Sequence, residues 1–263
     1  MYDFAYAKPA SLADAVSLLS SDPEAKALAG GQTFIPVLKQ RLNRPSLVVD
    51  LAKLGLSGIT VSGETVTIGA TTTHAAVANS AALQATIPGL AYLASLIGDA
   101  AVRHRGTIGG SLANNDPAAC YPAAALALNA KITTDRRTIE ADHFFQGMFI
   151  TALGQGEIIT SIAFPVPQAA AYEKFRNPAS RYPIVGVFVG RFPDAVRLAV
   201  TGAGQSGVFR HKEMEQALSA SFSPDAITGI TTPADGMNSD IHASAEYRAH
   251  LVGVIAKRAV AKA

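Results

Sequence analysis

The segment that decides the fold is Arg103-His104-Arg105-Gly106-Thr107-Ile108-Gly109-Gly110-Ser111-Leu112-Ala113-Asn114-Asn115-Asp116-Pro117-Ala118-Ala119-Cys120-Tyr121-Pro122. At its centre, residues 107–111 form a run of small residues with a hydroxyl at each end. Adjacent glycines allow backbone amides to approach a ligand closely and to adopt positive φ. Successive amides in such a turn suit an anionic oxygen. The run predicts a turn beside a phosphate-bearing ligand, although for one glycine pair alone a tight loop between packed elements is the simpler interpretation.

A second glycine loop of the same kind lies near the start of the chain. Ala27-Leu28-Ala29-Gly30-Gly31-Gln32-Thr33-Phe34-Ile35-Pro36 follows a short apolar run and leads into Val37-Leu38-Lys39. This order predicts a strand, a glycine turn and the start of a helix, an arrangement that binds phosphate through backbone dipoles. Two such loops, far apart in sequence, favour one pyrophosphate clamped between two lobes, and therefore a dinucleotide.

The two loops carry a family resemblance. Residues 29–33, with Pro36 and Lys39, and residues 105–111 resemble the paired FAD signatures of the medium subunit of molybdenum hydroxylases, the relatives of carbon monoxide dehydrogenase and xanthine dehydrogenase. The resemblance continues in order over nearly the whole chain. Its later motifs are Asp142-His143-Phe144-Phe145 with Gly147, Gly156-Glu157-Ile158-Ile159, Tyr182-Pro183-Ile184-Val185-Gly186-Val187 and Ala243-Ser244-Ala245-Glu246-Tyr247-Arg248.

The expected fold class is α+β. The resemblance implies a two-lobed FAD-binding domain of the PCMH (vanillyl-alcohol-oxidase-like) type, followed by a C-terminal α+β domain with a small antiparallel sheet. Hydrophobic patterning predicts a β-α-β-like first lobe to about residue 55 and a second lobe over residues 56–167. Pro165 and Pro167 mark a boundary. The predicted domains are therefore 1–167 and 168–263.

The resemblance also implies a set of FAD contacts. The first loop would surround the pyrophosphate and nearby ribitol, and the second would close the other side. Ile97 matches an apolar position near the adenine, whereas Leu153 and Lys174 match positions that line the isoalloxazine. The Lys174 cation would stabilise a reduced, anionic flavin; the alternative for this residue is a surface ion pair with Glu173 or Asp194. The implied cofactor-binding residues are Ala29, Gly30, Gly31, Gln32, Thr33, Phe34, Ile97, Thr107, Ile108, Gly109, Gly110, Ser111, Asn115, Asp116, Cys120, Leu153 and Lys174.

Cys120 departs from the family pattern. Related sequences often carry an acidic residue here, which can bond cofactor hydroxyls, and a thiol is a far weaker acceptor. Cofactor affinity is therefore expected to depend more on Asp116, Asn114 and Asn115, unless FAD sits differently in this protein. The alanines around Cys120 indicate a small, buried side chain.

The implied function is that of an FAD-carrying electron-transfer subunit in a heteromeric molybdenum hydroxylase. Electrons would reach the flavin from two [2Fe–2S] clusters on a small subunit and leave to an external acceptor, while a large subunit holds the molybdenum cofactor. The chain has one cysteine, and a cluster normally takes four thiolates, so the clusters must belong to another chain. In this family two heterotrimers often pair. Two alternatives stay open: a free-standing flavin oxidase or reductase of the same fold, and a non-catalytic nucleotide-binding or assembly protein.

Composition and spacing argue against several other classes of protein. A net charge of +2 is too small to indicate nucleic-acid binding. The N-terminus lacks the pattern of a signal peptide, and the most apolar stretches, 87–97 and 121–130, are too short to span a bilayer, so a cytoplasmic location is expected. The six histidines are scattered and show no metal-ligand spacing, although His74 and His104 are secondary candidates for cofactor contacts. No side chain is assigned a catalytic role.

One further glycine motif imitates a dinucleotide fingerprint. Residues 202–207 read Gly-Ala-Gly-Gln-Ser-Gly and follow a predicted strand. The helix after them is short and the expected second strand is poor. A hairpin or strand–helix turn is therefore the favoured interpretation.

Overall fold

The computed structural model describes all 263 residues, and its first lobe is a small parallel sheet in the order β1-β3-β2. The first helix begins directly after Ser11, because the Ser11 hydroxyl accepts a hydrogen bond from the Asp14 amide at 3.1 Å. The first glycine loop joins β2 to α2. The elements are β1 (Ala5–Ala7), α1 (Leu12–Ser21), β2 (Lys26–Leu28), α2 (Phe34–Lys39) and β3 (Leu47–Asp50).

The second lobe is built on a five-stranded antiparallel sheet in the order β4-β5-β10-β6-β7. Residues 59–69 form a β-hairpin, with Ile59 opposite Ile68. Alternation along β5 buries Val66 and Ile68 in the core beneath the helices. The elements are β4 (Ile59–Ser62), β5 (Thr65–Gly69), α3 (His74–Ala78), α4 (Ala81–Thr86), α5 (Pro88–Ser95), α6 (Ala100–Arg105), α7 (Ile108–Asn114), α8 (Tyr121–Ala127), β6 (Lys131–Thr134), β7 (Thr138–Glu140), α9 (Ala141–Phe144), β8 (Phe145–Gly147), β9 (Ile150–Thr151) and β10 (Ile159–Pro165).

The last hundred residues form a four-stranded antiparallel sheet in the order β11-β12-β13-β14. Eight of the nine residues of β12 are buried, because the strand lies between two layers. Val185, Val187 and Val189 belong to the C-terminal core with the last helix, whereas Phe188 belongs to the second-lobe core. The elements are β11 (Ala169–Arg176), β12 (Pro183–Arg191), β13 (Val196–Thr201), β14 (Phe209–Arg210), α10 (Lys212–Ala220), a 3₁₀ turn (Pro224–Ile227) and α11 (Ala245–Lys262).

The architecture confirms the expected α+β class with a small antiparallel C-terminal sheet. The division at residue 167 stays a prediction, because Tyr172 and Phe188 pack into the core of the second lobe. None of the helices combines the length and apolar character needed to cross a bilayer. No group of three or more histidine, cysteine or acidic side chains is placed to hold a metal ion.

The Gly202–Gly207 motif is a hairpin turn and not a dinucleotide fingerprint. It connects β13 to β14, which pair in antiparallel fashion. Its amide and carbonyl groups are occupied by a neighbouring segment: the Gln205 amide donates to the Gly236 carbonyl at 2.8 Å, and the Asn238 amide donates to the Ala203 carbonyl at 2.7 Å. The turn is therefore closed to a phosphate.

Glu157 is the centre of an ionic cluster, in a turn that lies against the first lobe. Its carboxylate accepts two hydrogen bonds from Arg137, at 2.9 and 3.0 Å, one from the Thr134 hydroxyl at 2.8 Å and one from the Gly154 amide at 2.7 Å. These bonds, with Arg137 as the largest cause, lower the pKa of Glu157 to about 2. The adjacent Gln155 donates to the Leu19 carbonyl of α1 at 3.2 Å, so the turn that holds Glu157 also anchors the first helix.

Glu157→Gln should therefore destabilise the fold at neutral pH by about 1–2 kcal/mol, since it removes a charged acceptor from four donors. The folded-state pKa lies below the ordinary value, so the stabilisation is present above about pH 4.5 and is lost as the pH falls towards 2. Urea unfolding of the wild type and the variant at several pH values would measure this. A difference in free energy of unfolding that stays constant from pH 7 to pH 3 would contradict it.

Candidate functional site

A cavity of about 870 Å³ lies where the first lobe, the second lobe and the C-terminal sheet meet. This volume is near the upper end of the usual range for small-molecule sites. The first lobe contributes the glycine loop, residues 29–34, and the second lobe contributes Ile97 to Asp99 and much of α7. The C-terminal part contributes Lys174 and the segment 179–183. Three regions that are distant in sequence therefore form one site.

The first glycine loop offers a row of unused backbone donors. The amides of residues 29–34 donate no hydrogen bond to any group of the chain, and the first engaged amide is that of Ile35, which donates to the Gly31 carbonyl at 3.0 Å. Gly31 has φ +73°, a conformation that a glycine adopts without strain. All six residues line the cavity. Such a row of amides suits the oxygens of a phosphate or pyrophosphate.

The second glycine loop differs from the prediction, because it is the first turn of helix α7. Its amides are already engaged: Ile108 donates to the Thr72 carbonyl at 3.1 Å and Gly109 to the Ala70 carbonyl at 2.9 Å. Gly110 donates to the Thr107 hydroxyl at 3.1 Å, and Ser111 to the Thr107 carbonyl at 3.0 Å. Among residues 107–111 only the Thr107 amide makes no hydrogen bond. The expected row of exposed amides is therefore wrong for this loop.

The glycines of the two loops allow the lobes to approach each other. A Cβ atom on Gly30 would collide with the carbonyl oxygen of Arg105 and lie 2.8 Å from the Cα atom of Gly106. A Cβ atom on Gly109 would meet Ala70 at 2.6 Å. Both positions therefore require glycine, Gly30 for the contact between the lobes and Gly109 for packing inside the second lobe. The first loop still faces the cavity.

Lys174 lies on the opposite part of the cavity wall. Its ammonium group donates to the carbonyl oxygens of Leu96 at 2.8 Å and Arg181 at 2.9 Å, and lies 3.7 Å from the sulfur of Cys120. It makes no ion pair, and the neighbouring Glu173 pairs with Lys262 instead. The alternative of a surface ion pair is therefore wrong.

Comparison with known proteins shows the family of this chain. Residues 2–167 match the family described as the FAD binding domain in molybdopterin dehydrogenase. The chain is 39% identical to the nicotine 6-hydroxylase medium subunit of Paenarthrobacter nicotinovorans, over 98% of this chain and 96% of that one. It is 33% identical to the carbon monoxide dehydrogenase medium chain of Hydrogenophaga pseudoflava, over 98% and 96% of the two chains. A solved structure of reconstituted CO dehydrogenase from Oligotropha carboxidovorans superposes with a TM-score of 0.91 at 33% identity, over 100% and 98% of the chains.

The chain belongs to the FAD-binding medium subunits of the molybdenum hydroxylases. The family is one of oxidoreductases that carry FAD, as expected from the two glycine loops. The residues of this medium subunit fit that cofactor, because the six unused amides and the large cavity suit a pyrophosphate with a long group on each side.

All but two of the predicted FAD contacts line the cavity. Ile108 is fully buried in the second-lobe core instead. Asn115 is also buried, and its side-chain amide donates away from the cavity to the carbonyls of Gly147 at 2.7 Å and Ile150 at 2.9 Å. The predicted residues on the cavity wall are Ala29, Gly30, Gly31, Gln32, Thr33, Phe34, Ile97, Thr107, Gly109, Gly110, Ser111, Asp116, Cys120, Leu153 and Lys174.

The structure changes how these residues are grouped. Ile97 and Lys174 lie together, because the Lys174 ammonium is bonded to the carbonyl of Leu96. Ile97 was expected near the adenine and Lys174 near the isoalloxazine, and an extended FAD does not bring both moieties to one place. Leu153 lies beside the Glu157 turn, since the next residue, Gly154, donates to the Glu157 carboxylate at 2.7 Å.

Of the two candidate histidines only His74 lines the cavity, and the segment 179–183 also lines it. His74 lines the cavity but packs behind the loops, against Gly106 and the Tyr121 ring, and burial lowers its pKa to about 4, so its imidazole is neutral. His104 is exposed, outside the cavity lining, and bonds the Ala100 carbonyl at 2.8 Å. The segment 179–183 was not predicted as a contact, since only the pairing of β11 with β12 brings it to the cavity.

We expect Gly30→Ala to weaken FAD retention by at least about tenfold, because the new methyl group would push the first loop away from Arg105. The measurement is the amount of flavin that remains bound after gel filtration at a series of protein concentrations. Gly253→Ala in α11 is the matched control, since a Cβ atom there meets nothing within 4 Å. Equal FAD retention in both variants would show that the close loop contact is not needed.

Proposed function

We propose that this medium subunit binds FAD with its pyrophosphate on the amides of residues 29–34 and uses it to transfer electrons within a larger complex. The observation that carries the proposal is the uninterrupted row of unused amides in a cavity of sufficient size. Backbone amides are fixed donors, so they bind an anion without the cost of ordering flexible side chains. The Thr33 and Ser111 hydroxyls on the same wall would add hydrogen bonds.

We infer that the isoalloxazine lies at the end of the cavity that holds Lys174, Cys120 and Ile97. A flavin gains electron density when reduced, and a cation without a carboxylate partner favours that state. The apolar side chain of Ile97 offers a surface for the ring. The adenosine end then extends towards Leu153. Ile97 is thereby assigned to the isoalloxazine and Leu153 to the adenine, the reverse of what the family resemblance implies.

The chemistry of electron transfer belongs to the flavin, which can accept and release electrons one or two at a time. The residues of this chain hold it in place and set its electrostatic surroundings. His74 is neutral behind the loop, whereas Lys174 is a cation held at the flavin end, where Arg103 also donates to the Ile97 carbonyl at 2.6 Å.

The medium-chain names of the relatives imply a multi-subunit assembly. We propose that the partners are a large subunit with the molybdenum cofactor and a small subunit with two [2Fe–2S] clusters, and that two such heterotrimers pair. The single cysteine supports the assignment of the clusters to another chain. A cytoplasmic location stays a prediction. A free-standing flavin oxidoreductase is less favoured, because the similarity to named medium subunits extends over 96% of their length.

The test is an absorption spectrum of the purified chain, with mass identification of the flavin released by heat. We expect flavin bands at close to one FAD per chain and no FMN. Co-purification through a tag on this chain should recover a molybdenum-containing and an iron–sulfur protein. A colourless chain that takes up no FAD, even when co-expressed with those partners, would overturn the cofactor assignment; FAD binding with no partner recovered would favour the free-standing enzyme.

A further inference from the structure

Lys174 is held on the cavity wall by neutral groups alone. Two of its three donor directions are taken by the carbonyl oxygens of Leu96 and Arg181, and the third faces the Cys120 sulfur at 3.7 Å. Carbonyl groups fix the position of the ammonium without cancelling its net charge. Because the site is partly enclosed, that charge is screened less than it would be on the open surface.

No carboxylate compensates this charge. Glu173 points to the other face of β11 and pairs with Lys262. Asp116 lines the same cavity, but it accepts a hydrogen bond from the Ala118 amide at 2.8 Å and forms no ion pair with Lys174. Cys120 is therefore the side chain that touches the ammonium, and it offers no carboxylate.

We propose that Cys120 tunes the flavin by leaving the Lys174 ammonium without a counter-ion, which raises the affinity of this subunit for reduced relative to oxidised FAD. The inference rests on the proposed position of the isoalloxazine. Cys120 acts through Lys174 and is thus a positioning residue. An acidic side chain at the same place would form a salt bridge with Lys174 and cancel the contribution of this ammonium to the field at the flavin.

The surroundings of Cys120 offer hydrogen-bond donors to an acidic side chain. The thiol is 6% exposed, and the nearby Tyr172 hydroxyl is buried without a hydrogen-bond partner. Burial, and next the Cys120 thiol, raise the pKa of the Tyr172 phenol well above its ordinary value, so this hydroxyl is a donor at all working pH values. A carboxylate at position 120 would therefore find two donors, the Lys174 ammonium and the Tyr172 hydroxyl.

The experiment compares Cys120→Asp with its neutral matched control, Cys120→Asn, and with Cys120→Ser. The midpoint potential of the bound FAD is measured by reductive titration against a reference dye. The difference between this potential and that of free FAD gives the ratio of the dissociation constants of reduced and oxidised FAD. We expect Cys120→Asp to lower the affinity for reduced FAD, relative to the affinity for oxidised FAD, by about tenfold. Cys120→Ser and Cys120→Asn should stay within about twofold of the wild type, because both leave the ammonium uncompensated.

The coupling to Lys174 is tested separately. Lys174→Met should shift the ratio in the same direction as Cys120→Asp, whereas Lys174→Arg should largely retain the wild-type ratio. The shift caused by Lys174→Met should be much smaller when Cys120→Asp is already present, because the charge is then already cancelled. If Cys120 had only a structural role, the potential of the bound FAD would change by a similar amount in all three Cys120 variants.

Each outcome supports or overturns a defined statement. Equal potentials for Cys120→Asp and Cys120→Asn would overturn the inference, and FAD binding itself would stand. If Cys120→Asp does not retain FAD, an unchanged potential in Lys174→Met overturns the inference, because Cys120 is proposed to act through the Lys174 charge. A wild-type chain that never binds FAD overturns the proposed function and this inference together.

Discussion

The site depends on one contact between the lobes, the approach of Gly30 to the backbone of Arg105 and Gly106. There is no room for even a methyl group at this position. The contact brings the loop after β2 against the end of α6 and thereby closes one side of the cavity. The row of amides in the first lobe faces the residues of the second lobe across one cavity because the two lobes meet at this distance.

The two glycine loops are similar in sequence but have different physical roles. The first loop leaves six amides without partners, since it connects a strand end to a short helix and folds back on neither. The second loop is helical, and its amides are used by Ala70, Thr72 and Thr107. One loop therefore has donors that no group of the chain uses, and the other packs against it. Glycine is needed in both, in the second because α7 packs directly on Ala70.

The C-terminal sheet contributes to the site as well as to the core. Strand β12 is buried on both faces, with valines on one side and Phe188 on the other, so its position against the second lobe is closely defined. Strand β11 pairs with it and carries Lys174 to the cavity. A charged residue is thus held rigidly at the wall by a strand whose place is determined by packing.

Much of the fold could be predicted from local sequence. The Ser11 cap, the hairpin at residues 58–69 and the terminal helix depend on neighbouring residues, and their patterns are strong. The helical state of residues 108–111 was missed, because adjacent glycines favour a turn locally and only the packing of α7 against Ala70 makes the helix the better arrangement.

By itself the sequence determined the family, the α+β class and the residues of the first glycine loop, since these follow from motifs whose order and spacing are local properties of the chain. Only the tertiary structure decided which amides stay unused, that Asn115 faces the β8–β9 hairpin, and that Lys174 lies beside Ile97 and Cys120. The physical reason is that hydrogen-bond occupancy and charge compensation depend on groups that are distant in sequence. The partner of a donor or a cation is known only when the lobes are packed together.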